Sequence, residues 1–288
     1  MLAGAIFTAG HLMAATIFVD GQLSSASSTT YNPQTRATGT GVAQAYRTVA
    51  GAAAVATPGT VVEIRAGTYN EQLRPSASGT AAAPVTFKQY GSEQVFLVAS
   101  PGINISDRSY LVLDGLRVEN TSWLEARNSH YIVLQNCVFR RNPNSGTTGN
   151  VRFIQSNYNK ILNNVIDDGN DNLLLIDSNY NLVQGNTITE ARHSIFGIRC
   201  GDYNIIRGNY FSNSQQKIGE VYDCGADTSA VPNAFNSTTH NVIEDNVFAL
   251  TEPYYSTSGG NGIQYAGQDG IIRRNVFYDC DLTPEKWT

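Results

Sequence analysis

Along the last two-thirds of the chain, short apolar runs alternate with polar bends in a phrase that keeps returning: Tyr-Asn, two β-branched or leucine residues, two polar residues, Asn, then a hydrophobic pair. The copies read YNKILNNVI (158–166), YNLVQGNTI (180–188), YNIIRGNYF (203–211), HNVIEDNVF (240–248) and DGIIRRNVF (269–277). Two degenerate copies precede them, SYLVLDGLRV (109–118) and HYIVLQNCVF (130–139). Aligned on the asparagine they fall at Leu116, Cys137, Asn164, Asn186, Asn209, Asn246 and Asn275, with spacings of 21, 27, 22, 23, 37 and 29 residues. Runs this short and β-branched, broken by Asn or Gly, predict strands and exclude a helical solenoid. A recurring unit near 22 residues predicts a parallel β-helix, in which each coil stacks on the last and equivalent positions form ladders. Asparagine suits the bend because it tolerates left-handed backbone and its amide can bond to the coil above, which predicts an asparagine ladder at Asn164, Asn186, Asn209, Asn246 and Asn275.

The segment YRTVAGAAAVATPGTVVEIRAGTYNEQLRPSASGTAAAPVTFKQYG (46–91) completes the picture. Residues 46–57 are Ala-rich and suit a helix that plugs the end of the stack, Pro58-Gly59 ends it, and VVEIRAG begins the first coil. With these parts in place, the chain resembles the pectate-lyase-like superfamily of parallel β-helix repeat proteins over nearly its whole length. The resemblance implies an all-β, single-stranded right-handed parallel β-helix with a short N-terminal capping helix. The expected organisation is a residual signal segment and first strand in 1–22, the cap and first coils in 23–100, and the remaining coils in 101–288. The last residues, 278–288, follow directly on a strand without an evident cap, so a continuation of the chain is expected.

Composition narrows the class. The chain is 41% hydrophobic and only 15% charged, against about 25% charged in an average soluble domain. Gly (26), Tyr (15) and Asn fill the difference, and 25 of the 27 asparagines lie after residue 100. Enough Val, Ile, Leu and Phe are present to exclude a disordered chain. A net charge of -5 without a Lys/Arg run excludes nucleic acid as the expected partner. The apolar stretch 1–22 is interrupted by His11 and lacks a basic start, so no membrane span is expected and a secreted, extracellular or periplasmic location is. A monomer is expected. The cysteines Cys137, Cys200, Cys224 and Cys280 form no CxxC pair, which excludes a zinc site. Cys200 and Cys224 fall one coil apart, at a spacing a disulfide accepts, although the reading favours two stacked small apolar residues.

The third strand of each coil lies just upstream of each Tyr-Asn, in WLEAR (123–127), VRFIQ (151–155), LLLID (173–177), IFGIR (195–199), IGEVYD (218–223) and GIQY (262–265). The insertions 140–150, 224–239 and 250–260 all flank this strand, and long loops on one face of a solenoid favour binding there. Taking Ile176 and Ile198 as inward places Asp177 and Arg199 outward, with Arg127 and Gln155 as neighbours. In the 218–223 strand the reading favours Val221 inward, with Glu220 and Tyr222 outward and Asp223 at the turn, because an unpaired glutamate in the core would cost several kcal/mol. The ionisable residues concentrate here, from Asp167, Asp168 and Asp171 through Asp177, Glu190, Arg192, His193 and Arg199 to Lys217, Glu220 and Asp223.

Such a cluster suits two chemistries. A lyase removes the proton α to a uronate carboxylate and needs a base and a cationic partner for the acid group. Lys217, Arg199 and His193 are the catalytic candidates, Glu220 and Asp223 the candidate calcium ligands. Asp177, Tyr222, Tyr254, Tyr255 and Gln264 are the candidate substrate contacts. A hydrolase would need two carboxylates about 5 to 9.5 Å apart, for which Asp177 and Asp223 are candidates. The resemblance implies an extracellular carbohydrate-active enzyme, expected to be a calcium-assisted polysaccharide lyase on a uronic-acid polymer. The Gly-His-Gly and Arg-Ile-Lys motifs of polygalacturonase-like hydrolases and the Asp-Pro-His-Asp motif of alginate epimerases are absent. So is the Glu-x-Glu arrangement with a following Lys, since Lys217 precedes Glu220. A non-catalytic glycan-binding β-helix is the reading from a different class.

Overall fold

The computed structural model describes residues 15–120, 122–140, 149–222, 238–249 and 261–278. Strand after strand pairs in parallel with the equivalent strand of the next coil, giving a 12-stranded and a 14-stranded sheet in which neighbours along the stack are separated by whole coils in sequence. The alignment made on the asparagine is the alignment of the backbone: Arg117 pairs with Val138, Val138 with Val165, Val165 with Thr187, Thr187 with Tyr210, Tyr210 with Val247 and Val247 with Val276. The protein is therefore the parallel β-helix that its repeat predicts.

The core is built of ladders. Leu113, Leu134, Ile161, Val183, Ile206 and Ile243 stack as one wholly buried column, and Phe139, Ile166, Ile188, Phe211 and Phe248 as another. Each such side chain contributes roughly 1.5–3 kcal/mol on burial. At the bend between the two columns the Asn164 backbone N–H donates to Asn186 Oδ1 at 2.8 Å, and the same bond repeats from Asn186 to Asn209, Asn209 to Asn246 and Asn246 to Asn275 at 2.9 Å. A second ladder runs through the asparagine of each Tyr-Asn, from Asn159 to Asn181, Asn204 and Asn241 at 2.9–3.0 Å. The sequence shows it as plainly as the first, in the second letter of the repeated phrase.

The residue before this second ladder sits in the left-handed region in every coil: Tyr110, Tyr131, Tyr158, Tyr180, Tyr203 and His240 have φ between 55° and 60°. A bulky residue there costs roughly 1–2 kcal/mol. The rings stack outside the solenoid at centroid separations of 4.7–5.1 Å, the five tyrosines within 5° of parallel. Each such pair contributes about 0.5–1.5 kcal/mol, so stacking roughly offsets the strain.

At the N-terminal end, the helix Val49–Val55 lies against the stack through Val49, Ala52 and Ala53. Thr48 caps it by accepting from Gly51 N at 3.0 Å, and the Glu71 carboxylate accepts from Val49 N and Ala50 N at 3.0 and 2.9 Å. The strand Thr16–Val19 pairs in parallel with Val61–Ile64, so the first coil begins before the helix and not at VVEIRAG. Beside it Asp20 bonds Arg36 and Tyr31, while Arg65 bonds Glu93.

Candidate active site

Two strands depart from the pattern of short strands separated by bends. Val165–Ile176 and Thr187–Arg199 run through the corner between the second and third strand positions without a break. A bulge lies in this corner: Gly169 pairs with Ala191 but Asp171 pairs with Ser194, so the upper strand carries one extra residue. A bulge bends the strand and re-aims the side chains around it, and here those are Asp171, His193 and Ser194.

Asp171 is 4% exposed, and its Oδ1 accepts from Ser194 Oγ at 2.6 Å and bonds His193 Nδ1 at 2.7 Å. On the far side of the ring, His193 Nε2 lies 3.8 Å from Glu220 Oε1. That same oxygen accepts from Lys217 Nζ at 2.7 Å. Asp171, Ser194 and Lys217 occupy equivalent positions in three successive coils. A carboxylate, an imidazole, a second carboxylate and an ammonium are thus joined in a line that crosses three rungs.

Burial works against the charge of Asp171, but the hydrogen bonds from His193 and Ser194 and the nearby cationic groups outweigh it and hold the carboxyl below its ordinary range. The same bond to Asp171 holds the His193 imidazolium above its ordinary value of 6.5, against the opposing effect of partial burial. Asp171 also fixes the tautomer: with Nδ1–H committed to the carboxylate, the neutral ring presents an unprotonated Nε2.

The one-residue bulge corrects the register expected from sequence. Leu175, not Ile176, pairs with Ile198, and Ile176 pairs with Arg199. Ile176 therefore faces out and is covered together with Ile154 and Leu174 in a small separate cluster. Asp177 follows the strand in a left-handed bend (φ 46°) next to Gln155, whose Nε2 donates to Asp177 Oδ2 at 3.3 Å. Burial raises its carboxyl. It is thus a neighbour of Gln155 and not of Arg199 or Arg127 along the ladder. In the next strand Val221 pairs with Ile198 and is wholly buried, so Glu220 takes the outward side in the favoured register. Glu220 is nonetheless only 2% exposed, and its Oε2 has no hydrogen-bond partner among the described residues.

Arg199 lies over the ring of Tyr222, with the guanidinium carbon 5.1 Å from the centroid. Gln264 occupies the rung above Glu220. Tyr254, Tyr255 and Asp223 lie outside the described residues, as does most of the three insertions. Cys200 is disulfide-bonded, contrary to the expectation of two stacked thiols. Its small side chain at a bend one coil from another cysteine fits a bridge as well as packing, and geometry decides what spacing left open. Asp171 stood in the expected cluster without a role. It pairs with Ser194, and the bulge sets the preceding residue, His193, beside it.

These features define a parallel β-helix with a cluster of ionisable side chains on its third strand. The chain belongs to the family described as periplasmic copper-binding protein (NosD), whose model matches residues 73–281. No curated protein matches it. Among solved structures it is similar to pectate lyase Pel9A, with 15% identity and a TM-score of 0.51 over 90% of this chain and 62% of that one. It is also similar to an alginate lyase from Paenibacillus sp. str. FPU-7, with 13% identity and a TM-score of 0.41 over 77% and 91% of the two chains. A third likeness, to the periplasmic alginate epimerase AlgG, has 9% identity and a TM-score of 0.46 over 77% and 61%. At 15% identity the likeness to the pectate lyase speaks to the fold alone, and the chain spans 62% of that protein's length. No helix among the described residues is long and apolar enough to cross a membrane.

The side chains among the described residues do not fit a resident copper ion. Among the described residues no group of three or more His, Cys, Asp and Glu is arranged to hold a metal. Cys137 is buried with its thiol against backbone carbonyls, and burial pushes that thiol up to about 12. Cys200 is disulfide-bonded. His193 is committed to Asp171, His130 Nδ1 accepts from Asn157 N, and His240 is stacked on Tyr203.

Proposed function

We propose that the chain is a carbohydrate-active enzyme that breaks an acidic polysaccharide by β-elimination, with His193 as the base. The observation that supports this reading most directly is the Asp171–His193 pair, which holds an imidazole with Nε2 turned toward a rung carrying Lys217 and Glu220. An imidazole so oriented can take the proton α to a uronate carboxylate; the C–H electron pair becomes the carbon–carbon double bond as the bond to the β glycosidic oxygen breaks, and that oxygen takes a proton from water. Lys217 and Arg199 supply positive charge for the acid group, which gains negative charge as the proton leaves. Lys217 is bonded to a carboxylate and is better suited to this part than to that of a base. Glu220 Oε1, one of the two carboxylates expected to hold calcium, is already paired with Lys217, so the cations take the role assigned to calcium.

The reading is tested by incubating the protein with a panel of uronic-acid polymers, with and without chelator, and following the ultraviolet absorbance of the unsaturated product. Product is expected from at least one polymer in both conditions, and His193→Gln is expected to lower the rate on the order of 10²–10⁴-fold. Reducing ends without unsaturated product would make it a hydrolase, and dependence on added calcium would restore the metal-assisted route. Retention of polymer with neither product would leave a binding protein.

A further inference from the structure

The stacked tyrosines outside the solenoid have no part in the proposed chemistry. Tyr131, Tyr158, Tyr180 and Tyr203 are each 43–48% exposed, the most solvent-accessible large hydrophobic side chains in the middle of the molecule. Stacking and strain nearly cancel there, so stability does not explain why a bulky ring recurs at a position that asparagine or glycine would occupy more easily. Phenylalanine would stack as well. In five successive coils the ring carries a hydroxyl, and none of the five hydroxyls has a hydrogen-bond partner among the described residues. The result is a straight row of phenol groups repeating every 4.7–5.1 Å along the solenoid axis. Next to it, two residues on in each coil, runs a partly exposed column of Val112, Val133, Lys160, Leu182, Ile205 and Val242.

We infer that this ridge is a second, non-catalytic docking surface for a polysaccharide chain laid along the solenoid axis. Because the ring faces are consumed by stacking on each other, the ridge offers edges and hydroxyls, which suits a hydroxyl-rich partner and not an aromatic or planar one. Its regular pitch suits a polymer whose pyranose units advance by about one rung. An extended peptide advances roughly 3.3 Å per residue and falls out of step. The hydroxyls are neutral, so the ridge engages sugar hydroxyls and not the carboxylates that the cationic strand would engage.

The inference takes its class of partner from the proposed function, but it is measured apart from catalysis. Native gel electrophoresis through gels containing the uronic-acid polymers reports binding by retardation of the band. The double variant Tyr158→Phe/Tyr180→Phe keeps the stack and removes two hydroxyls. It is expected to weaken retardation about tenfold or more while leaving the turnover of short oligosaccharides unchanged. His193→Gln is expected to abolish product and to leave retardation intact. Equal retardation of the Phe variant and the parent overturns the ridge, whether or not product forms. So does a Phe variant that instead loses self-association in sedimentation, since the occupant would then be a second copy. Tyr180→Ser, checked for folding by circular dichroism, removes ring and hydroxyl together, and unchanged retardation there overturns the ridge as well.

Discussion

At the scale of single residues, the candidate site depends on what Asp171 does to His193. The hydrogen bond raises the imidazolium, so the neutral base appears only as pH climbs through a value above 6.5. The rate is therefore expected to rise along an alkaline-going limb. In Asp171→Asn the partner is no longer an anion, the His193 value falls, and the limb moves to lower pH while kcat drops and KM changes little. A pH–rate profile in which the limb stays in place would remove Asp171 as the positioning residue. Stability follows the opposite sign: the His193 contribution is fully present below 6.5 and is lost as pH rises through the raised value. The site residues were legible as a cluster because charge is sparse elsewhere in the chain. Their pairing was not, since a carboxylate one coil below an imidazole looks in sequence like any other pair 22 residues apart.

At the scale of elements, the repeat fixed the coils, the bends and the inward columns, because a period of two within strands and a recurring asparagine between them leave little freedom. What it could not show is where a strand takes an extra residue. Nothing in DDGNDNLLLI or TEARHSIFGIR marks the bulge except the change in spacing from 22 to 23, and one extra residue in the upper strand sufficed to set Ile198 on Leu175 and not on Ile176. The outward position of Glu220 was reached by a different route, the cost of putting a carboxylate in the core. The strand that carries Glu220 and Lys217 is also tightly seated. A Cβ on Gly219 would come within 2.5 Å of the Phe196 ring, which is itself wholly packed. Gly219→Ala is expected to destabilise the protein by about 1–3 kcal/mol, read as a lowered midpoint in urea. An unchanged midpoint would mean that Phe196 has room to move.

At the scale of the whole molecule, a solenoid has contacts only between neighbouring coils, so its ends set how readily it opens. The helix Val49–Val55 guards one end, and its first two N–H groups are held by Glu71. Glu71→Gln weakens charge-assisted bonds at a helix start and is expected to cost about 1 kcal/mol. Hydrogen exchange should quicken first in Thr16–Val19 and Val61–Ile64 and leave the strands around Asn209 protected. Uniform loss of protection would show that the stack opens as a single unit.

The asparagine rungs carry one more consequence. Asn181 and Asn204 are 23 residues apart and joined at 3.0 Å, whereas Asn204 and Asn241 are 37 apart and joined at 2.9 Å. The bond is indifferent to the length of chain between its ends. Such a molecule separates two problems that most folds must solve together: the spine keeps its geometry whatever the excursions between rungs contain. New segments can enter beside Lys217, Glu220 and Tyr222, or leave, without asking the core to be repacked, which makes the neighbourhood of the site the part of this protein most open to change.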